Sequence, residues 1–266
     1  MKPSHPVHHF NRAIVRAPAR SVCHGLRAHD RGDPTYEGIE AEHKAYVEAL
    51  RAAGVAVTIL PPLDGFPDAI FVEDPALVFT EGAILLRPGA PARIGETSEI
   101  APTLHAMFEH VLELPGTGFA DGGDVLISRD AVLIGLSART DVAGAGALRE
   151  CLRRFGRESE LVRTPEGVLH FKSDCSLIDE ETVLSTRCLA ASGVFRGRFR
   201  ELLVPAGEEA AANALRINDV VLVGREYPRT IDLLTIEGFS VVALNTAEIG
   251  KIDAGLSCMS LRWFAQ

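Results

Sequence analysis

A loose internal repeat constrains this chain more than any other feature. Polar, acid-bearing turns feed short apolar strands at Phe71-Val-Glu-Asp-Pro-Ala-Leu-Val-Phe79, at Asp121-Gly-Gly-Asp-Val-Leu-Ile127 and at His170-Phe-Lys-Ser-Asp-Cys-Ser-Leu-Ile178. The pattern returns at Arg216-Ile-Asn-Asp-Val-Val-Leu-Val223 and at Asp253-Ala-Gly-Leu-Ser-Cys-Met-Ser-Leu261. With Asp74, Asp124, Asp174, Asn218 and Cys258 as landmarks, the intervals are 50, 50, 44 and 40 residues. Periods of this size belong to arrays in which one unit cannot bury its apolar face alone, so neighbours must stack. Helix-like stretches at residues 97–110, 140–155 and 208–215 fall between the landmarks. The expectation is an α/β fold of five units, a propeller of strands and helices around a central axis, with the polar turns converging at one end.

The first sixty residues supply the remaining elements. Residues 11–17 read as a strand, and 21–34 as a long polar loop of the kind that forms a lid. Ile39, His43, Tyr46, Val47 and Leu50 recur at helical spacing within residues 36–53, and Gly54 ends that helix. Residues 55–60 form a strand stopped by Pro61-Pro62. No Gly, Ser or Pro tract divides the chain, so residues 1–266 are expected to form one domain.

Composition excludes several classes of function. A net charge of -9 argues against a phosphate-binding surface, so no nucleic-acid partner is expected. No apolar run approaches the roughly 20 residues that span a bilayer, and the N-terminal stretch lacks a signal-peptide core. A cytoplasmic protein without a membrane partner is the expectation. Cysteines at 23, 151, 175, 188 and 258 form no CxxC pair or metal-finger spacing, which suits free thiols. His8-His9 reads as a solvated tail.

Cys258 follows a Gly-containing polar loop and precedes a strand, a junction where a sulfur can face a cleft. A nucleophilic cysteine needs a proton carrier and a group that orients it, and the chain offers His170 and Asp121. Convergent turns would also gather Asp68, Glu73, Asp74, Asp121, Asp124 and Asp253. So many carboxylates demand a cation, either a hard metal or a cationic organic substrate such as a guanidinium. A thiolate does not need a hard metal, which favours the second; Arg87 and Arg139 would suit an α-carboxylate.

Phe71-Val-Glu-Asp74, Arg87-Pro-Gly-Ala-Pro, Asp121-Gly-Gly-Asp-Val-Leu126, Leu136-Ser-Ala-Arg-Thr140, Leu169-His-Phe-Lys-Ser173 and the loop from Asp253 to Cys258 closely resemble the dimethylarginine dimethylaminohydrolases. These enzymes belong to the guanidine-modifying α/β-propeller (pentein) superfamily, with arginine deiminases and amidinotransferases. The motifs run in family order over nearly the whole chain. The resemblance implies Cys258 as nucleophile, His170 as general acid and base, and Asp121 as the acid that orients His170. It implies that Asp74, with Glu73 beside it, grips the guanidinium, and that Arg87 and Arg139 clamp the carboxylate. Asp68 and the Val22 backbone would hold the α-amino end, and Ile252, through its backbone, and Asp253 would bind the substrate near the nucleophile. Some relatives carry Glu where this chain has Asp121, a longer arm toward the histidine. No metal or cofactor is implied, the partner is a small guanidine amino acid, and association into homodimers is left open.

The implied reaction converts an Nω-methylated arginine to citrulline and dimethylamine or methylamine. An arginine deiminase would use the same groups, an amidinotransferase would share the first half-reaction, and a non-catalytic propeller would merely bind. Taken singly, His170 reads first as a core histidine and Asp121-Gly-Gly-Asp as a plain β-turn, and Arg87 and Arg139 could be surface charges. All six motifs in order are a far more specific signal than any one of them.

Overall fold

The computed structural model describes residues 5–28 and 30–266; the start of the N-terminal stretch and one lid position, His29, lie outside them. After β1 (Arg12–Arg16), α1 (Tyr36–Ala52) and β2 (Ala56–Leu60), the chain repeats one motif. The first repeat comprises β3 (Ala76–Phe79), β4 (Gly82–Leu85), α2 (Glu96–Met107) and β5 (Val111–Glu113). The second comprises β6 (Val125–Ile127), β7 (Val132–Leu136), α3 (Val142–Arg154) and β8 (Ser159–Arg163). The third runs through β9 (Cys175–Leu177), β10 (Thr182–Ser185), α4 (Arg187–Ala191) and β11 (Arg200–Leu203). The fourth runs through β12 (Leu215–Ile217), β13 (Val220–Gly224), α5 (Pro228–Ile236) and β14 (Ser240–Leu244).

In each repeat the first strand pairs antiparallel with the second, and the third runs parallel to the second. A parallel neighbour requires a crossover, which the helix supplies. The fifth unit is assembled from both ends of the chain: β15 (Leu261–Trp263) pairs antiparallel with β1, Arg12 opposite Trp263, and β1 pairs parallel with β2. The result is five three-stranded sheets in a closed ring, the expected five-unit α/β propeller.

Each of the five apolar clusters joins two neighbouring units. One packs Ile14 and Trp263 against Val78 and Ile100, another Leu77 and Ile84 against Val125 and Leu148, and a third Leu133 against Phe171 and Val183. The others join Leu184 to Val221 and Leu234, and Leu215 and Leu222 to Ile39 and Leu50. Fully burying such a side chain contributes about 1.5–3 kcal/mol. No unit therefore owns its core, which is the physical reason for the repeat.

The predicted α1 holds to within a residue, begun by Thr35, whose hydroxyl accepts from the Gly38 N–H at 3.2 Å. Residues 208–215 hold a 3-10 turn at Glu209–Ala212 and the start of β12 in place of the expected helix, and the helix of that unit is α5. Pro228 opens α5, and its first N–H groups are capped from afar, Glu208 accepting from Arg229 N (3.2 Å) and Thr230 N (2.8 Å). A cap supplied twenty residues upstream leaves no local signature. The landmark at Asn218 is also displaced. Asn218 turns between β12 and β13 with a φ of 48° and binds the backbone of Phe10 and Ala53.

Candidate active site

The loops entering the first strand of each unit converge. They bring Asp74, Asp121, His170, Asn213 and Cys258 toward one end of the ring, and a cleft there is lined by Asp68, Asp74, Arg139, His170, Asp253 and Cys258 among others. A larger cavity of about 420 Å³ borders Glu73, Lys172 and Ser257 and contains neither His170 nor Cys258. Volume does not decide between the two, because the reactive side chains meet only in the smaller one.

Asp121 is fully buried and organises the histidine. Its Oδ2 lies 2.9 Å from His170 Nε2, and its Oδ1 accepts the Gly89 N–H at 2.7 Å. The short arm of aspartate thus reaches the ring. A side chain at Gly89 would collide with the Arg139 backbone, its Cβ 2.3 Å from the carbonyl oxygen, so glycine brings this N–H to Asp121. Asp124 braces the same loop from behind, accepting from the Phe171 N–H at 2.8 Å and from the hydroxyls of Ser137 and Thr140 at 2.7 Å.

Burial alone would lower the pKa of His170. The charge of Asp74, the hydrogen bond to Asp121 and the charge of Asp124 outweigh it and raise the pKa to about 9. The imidazole is therefore a cation at neutral pH, poised to give a proton. Burial pushes Asp74 up, but the Arg93 and His170 cations beside it hold it at about 2. Cys258 is shifted the other way: burial and the charges of Glu73 and Asp74 raise its pKa. Its resting form is the thiol. Asp74, Asp121 and His170 offer metal-ligand atoms within 4.8 Å of one another. An imidazolium already bonded to Asp121 repels a cation, so this cluster suits proton transfer better than metal binding.

No family model matches the chain. Among curated proteins, it is 37% identical over 257 residues to the N(G),N(G)-dimethylarginine dimethylaminohydrolase of Pseudomonas aeruginosa, covering 96% of this chain and 100% of that one. It belongs to the dimethylarginine dimethylaminohydrolase family. The Streptomyces coelicolor member is 32% identical over 94% of this chain and 96% of its own length. Among solved structures, a cysteine-to-serine mutant of the P. aeruginosa family member, complexed with citrulline, superposes with a TM-score of 0.92 at 36% identity, covering 96% of this chain and 99% of that one. The N-terminal domain of ArgZ, 20% identical, shares the fold with a TM-score of 0.85 over 94% of this chain and 96% of that one.

Against the expectations for a dimethylarginine dimethylaminohydrolase, seven of the named side chains come together: Cys258, His170 and Asp121, with Asp68, Asp74, Arg139 and Asp253. Ile252 joins them in the wall of the cleft. Three residues do not. Arg87 lies outside the cleft, bridged to Ala120, its guanidinium donating to the carbonyls of Gly118 (2.7 Å) and Leu114 (3.3 Å). Arg93, six residues on, lines the cleft instead. It donates to Asp74, to both oxygens of Glu96 (2.9 and 2.7 Å) and to the carbonyls of Phe71 and Asp68 (3.0 and 3.2 Å). The string Arg-Pro-Gly-Ala-Pro-Ala-Arg carries two arginines, and Pro91 begins the tight turn that aims the second one inward.

Val22 is likewise displaced from the cleft. Its side chain is buried among Ile39 and Leu50, and its carbonyl accepts the Gly25 N–H at 3.0 Å. Leu26 takes the lining position, its N–H donating to Asp68 Oδ1 at 2.9 Å. Glu73 faces the larger cavity, 2.5 Å from Lys172 Nζ and 3.3 Å from Arg262 Nη2. Its N–H donates to the Cys258 carbonyl at 3.2 Å, so it acts on the cysteine through the backbone and its charge.

The relocation of Arg87 has a measurable consequence. Arg87→Ala leaves two inward carbonyls without their donors, a loss of about 1–3 kcal/mol, and lowers the thermal midpoint without discriminating between substrates. Arg139→Ala removes a cation 3.9 Å from the buried Asp121 carboxylate, so its distinguishing mark is the substrate pattern rather than stability. It raises KM for guanidines that carry an α-carboxylate far more than for agmatine-like guanidines lacking it. Equal KM effects on both substrate types would show that Arg139 does not read the carboxylate.

Proposed function

We propose that this chain hydrolyses Nω-methylated arginine to citrulline and dimethylamine or methylamine, with Cys258 as nucleophile and residues 1–266 acting as one domain. The observation that carries this reading is His170, held by Asp121 at 2.9 Å, in the same cleft as Cys258 and the side chains of Asp68 and Asp74. It agrees with the name of the 37% identical relative. Asp74 would hold the substrate guanidinium, Asp68 and the Leu26 backbone the α-amino end, and Arg139 with Arg93 the carboxylate.

A guanidinium beside Cys258 offsets the carboxylates that keep the sulfur protonated, so substrate binding itself drives release of the thiol proton. The thiolate adds to the central guanidinium carbon. His170 then donates its proton to the methylated nitrogen, the C–N bond breaks, and neutral amine leaves a thiouronium cation on Cys258. Neutral His170 now takes a proton from water as the water oxygen adds to that carbon. The C–S bond breaks as the ureido carbonyl forms, and the remaining hydroxyl proton is released, restoring the thiol.

The soluble reaction tests the reading directly. With asymmetric dimethylarginine, monomethylarginine and arginine as substrates, citrulline and the matching methylamine should form in equal amounts from the methylated two. Citrulline from arginine alone, with ammonia, would replace this reading with a deiminase.

Among the described residues, no helix is long and apolar enough to cross a membrane. A cytoplasmic enzyme acting on a free amino acid is the corresponding reading of location and partner.

A further inference from the structure

Four of the five inward loops supply the groups of the proposed reaction; the fourth loop in chain order supplies Asn213, which that reaction does not use. We propose that Asn213 belongs to the reaction centre, its side-chain amide donating to the Cys258 sulfur and favouring thiolate over thiol. This rests on the reading of Cys258 as nucleophile.

The orientation of the amide is fixed by its neighbours. Asn213 Oδ1 accepts the Ser257 N–H at 3.1 Å, and a backbone N–H can only donate, so oxygen must stand there. Nδ2 is thereby turned to Cys258 Sγ at 3.6 Å, a hydrogen-bonding distance for sulfur. An amide N–H has no acceptor capacity, so its bond to sulfur strengthens when the sulfur becomes an anion.

The surroundings preserve this contact. Asn213 is only 8% exposed and follows the turn Glu209–Ala212, its N–H donating to the Ala210 carbonyl at 3.3 Å. Gly255 packs flat against the amide: a Cβ there would lie 2.0–2.4 Å from its carbon, nitrogen and oxygen. The Cys258 N–H is directed at the Gly255 carbonyl at 3.3 Å, away from its own sulfur. Among charged groups acting on the sulfur, Glu73 and Asp74 oppose its ionisation and Lys172 favours it. Position in the fold gives independent support. Asn213 precedes β12 as Asp74 precedes β3 and Cys258 precedes β15, so the ring places it where its other units place their working side chains.

The test reads thiolate formation rather than turnover. Iodoacetamide alkylation of Cys258, followed by peptide mass so that the other four thiols are scored apart, is measured from pH 7.5 to pH 11.5 in wild type and in Asn213→Ala and Asn213→Asp. The midpoint should rise by about one pH unit in Asn213→Ala, a roughly tenfold slower alkylation below it. It should rise further in Asn213→Asp, which keeps an acceptor for the Ser257 N–H but turns an anionic oxygen to the sulfur. A merely structural role would slow alkylation by the same factor at every pH. An Asn213→Ala midpoint equal to wild type overturns the proposal. Should that variant fail to fold, an unshifted midpoint in Asn213→Asp overturns it equally. Because alkylation needs no substrate, absence of citrulline formation by the wild type would remove the proposed function and leave this titration readable.

Discussion

Replacing Cys258 with serine is expected to abolish citrulline formation, by a factor on the order of 10⁴ to 10⁶. Burial and the charges of Glu73 and Asp74 already disfavour the anion at this position. An incoming guanidinium can offset them for a thiol, but a hydroxyl is far too weak an acid to ionise near neutral pH. The serine oxygen can still accept from Asn213, and the loop keeps its backbone bonds to Gly255 and Glu73. The thermal midpoint should therefore move little, and the variant should still bind substrate. Retained citrulline formation would remove the covalent route.

His170→Gly is expected to lower steady-state turnover by roughly 10²- to 10⁴-fold, the range for loss of a positioned proton carrier. The histidine has two tasks that separate in time. Its protonated form, which persists up to about pH 9, serves departure of the amine, and its neutral form serves attack by water. In wild type, kcat should consequently fall as pH rises through about 9, because the proton donor is lost. The glycine variant should lose that alkaline limb. Water can protonate the departing amine inefficiently, but the carboxylates left in the emptied site are weaker bases than the imidazole that activates the attacking water.

Much of this was legible in the chain because its period and its polar turns serve one geometric purpose. A unit that shares its core with both neighbours must repeat, and the loop before each first strand must face the axis. Asp121, His170 and Cys258 could be read from that pattern together with the motifs around them. The misread positions lie where the chain turns tightly. Between Arg87 and Arg93, a proline-rich turn decides which guanidinium faces inward, and between Val22 and Leu26, Gly25 lets the backbone reach Asp68. Asn213 went unread because Asn218, five residues later in a more conspicuous string, drew the landmark, and only the paired strands show which asparagine precedes the unit. Remote capping by Glu208 concealed α5 in the same way: the partner is fixed by the closed ring, not by adjacent sequence.

In the proposed reaction the guanidinium carbon of the substrate becomes bonded to Cys258. The most direct measurement mixes His170→Gly with a methylated arginine, quenches in acid within the first turnovers, and maps the mass of the peptide bearing Cys258. The expected result is an added mass equal to the substrate less its departing amine, growing to a stable level while citrulline stays low, and absent when Cys258 is also replaced by serine. An unmodified Cys258 peptide together with undiminished citrulline production would contradict it.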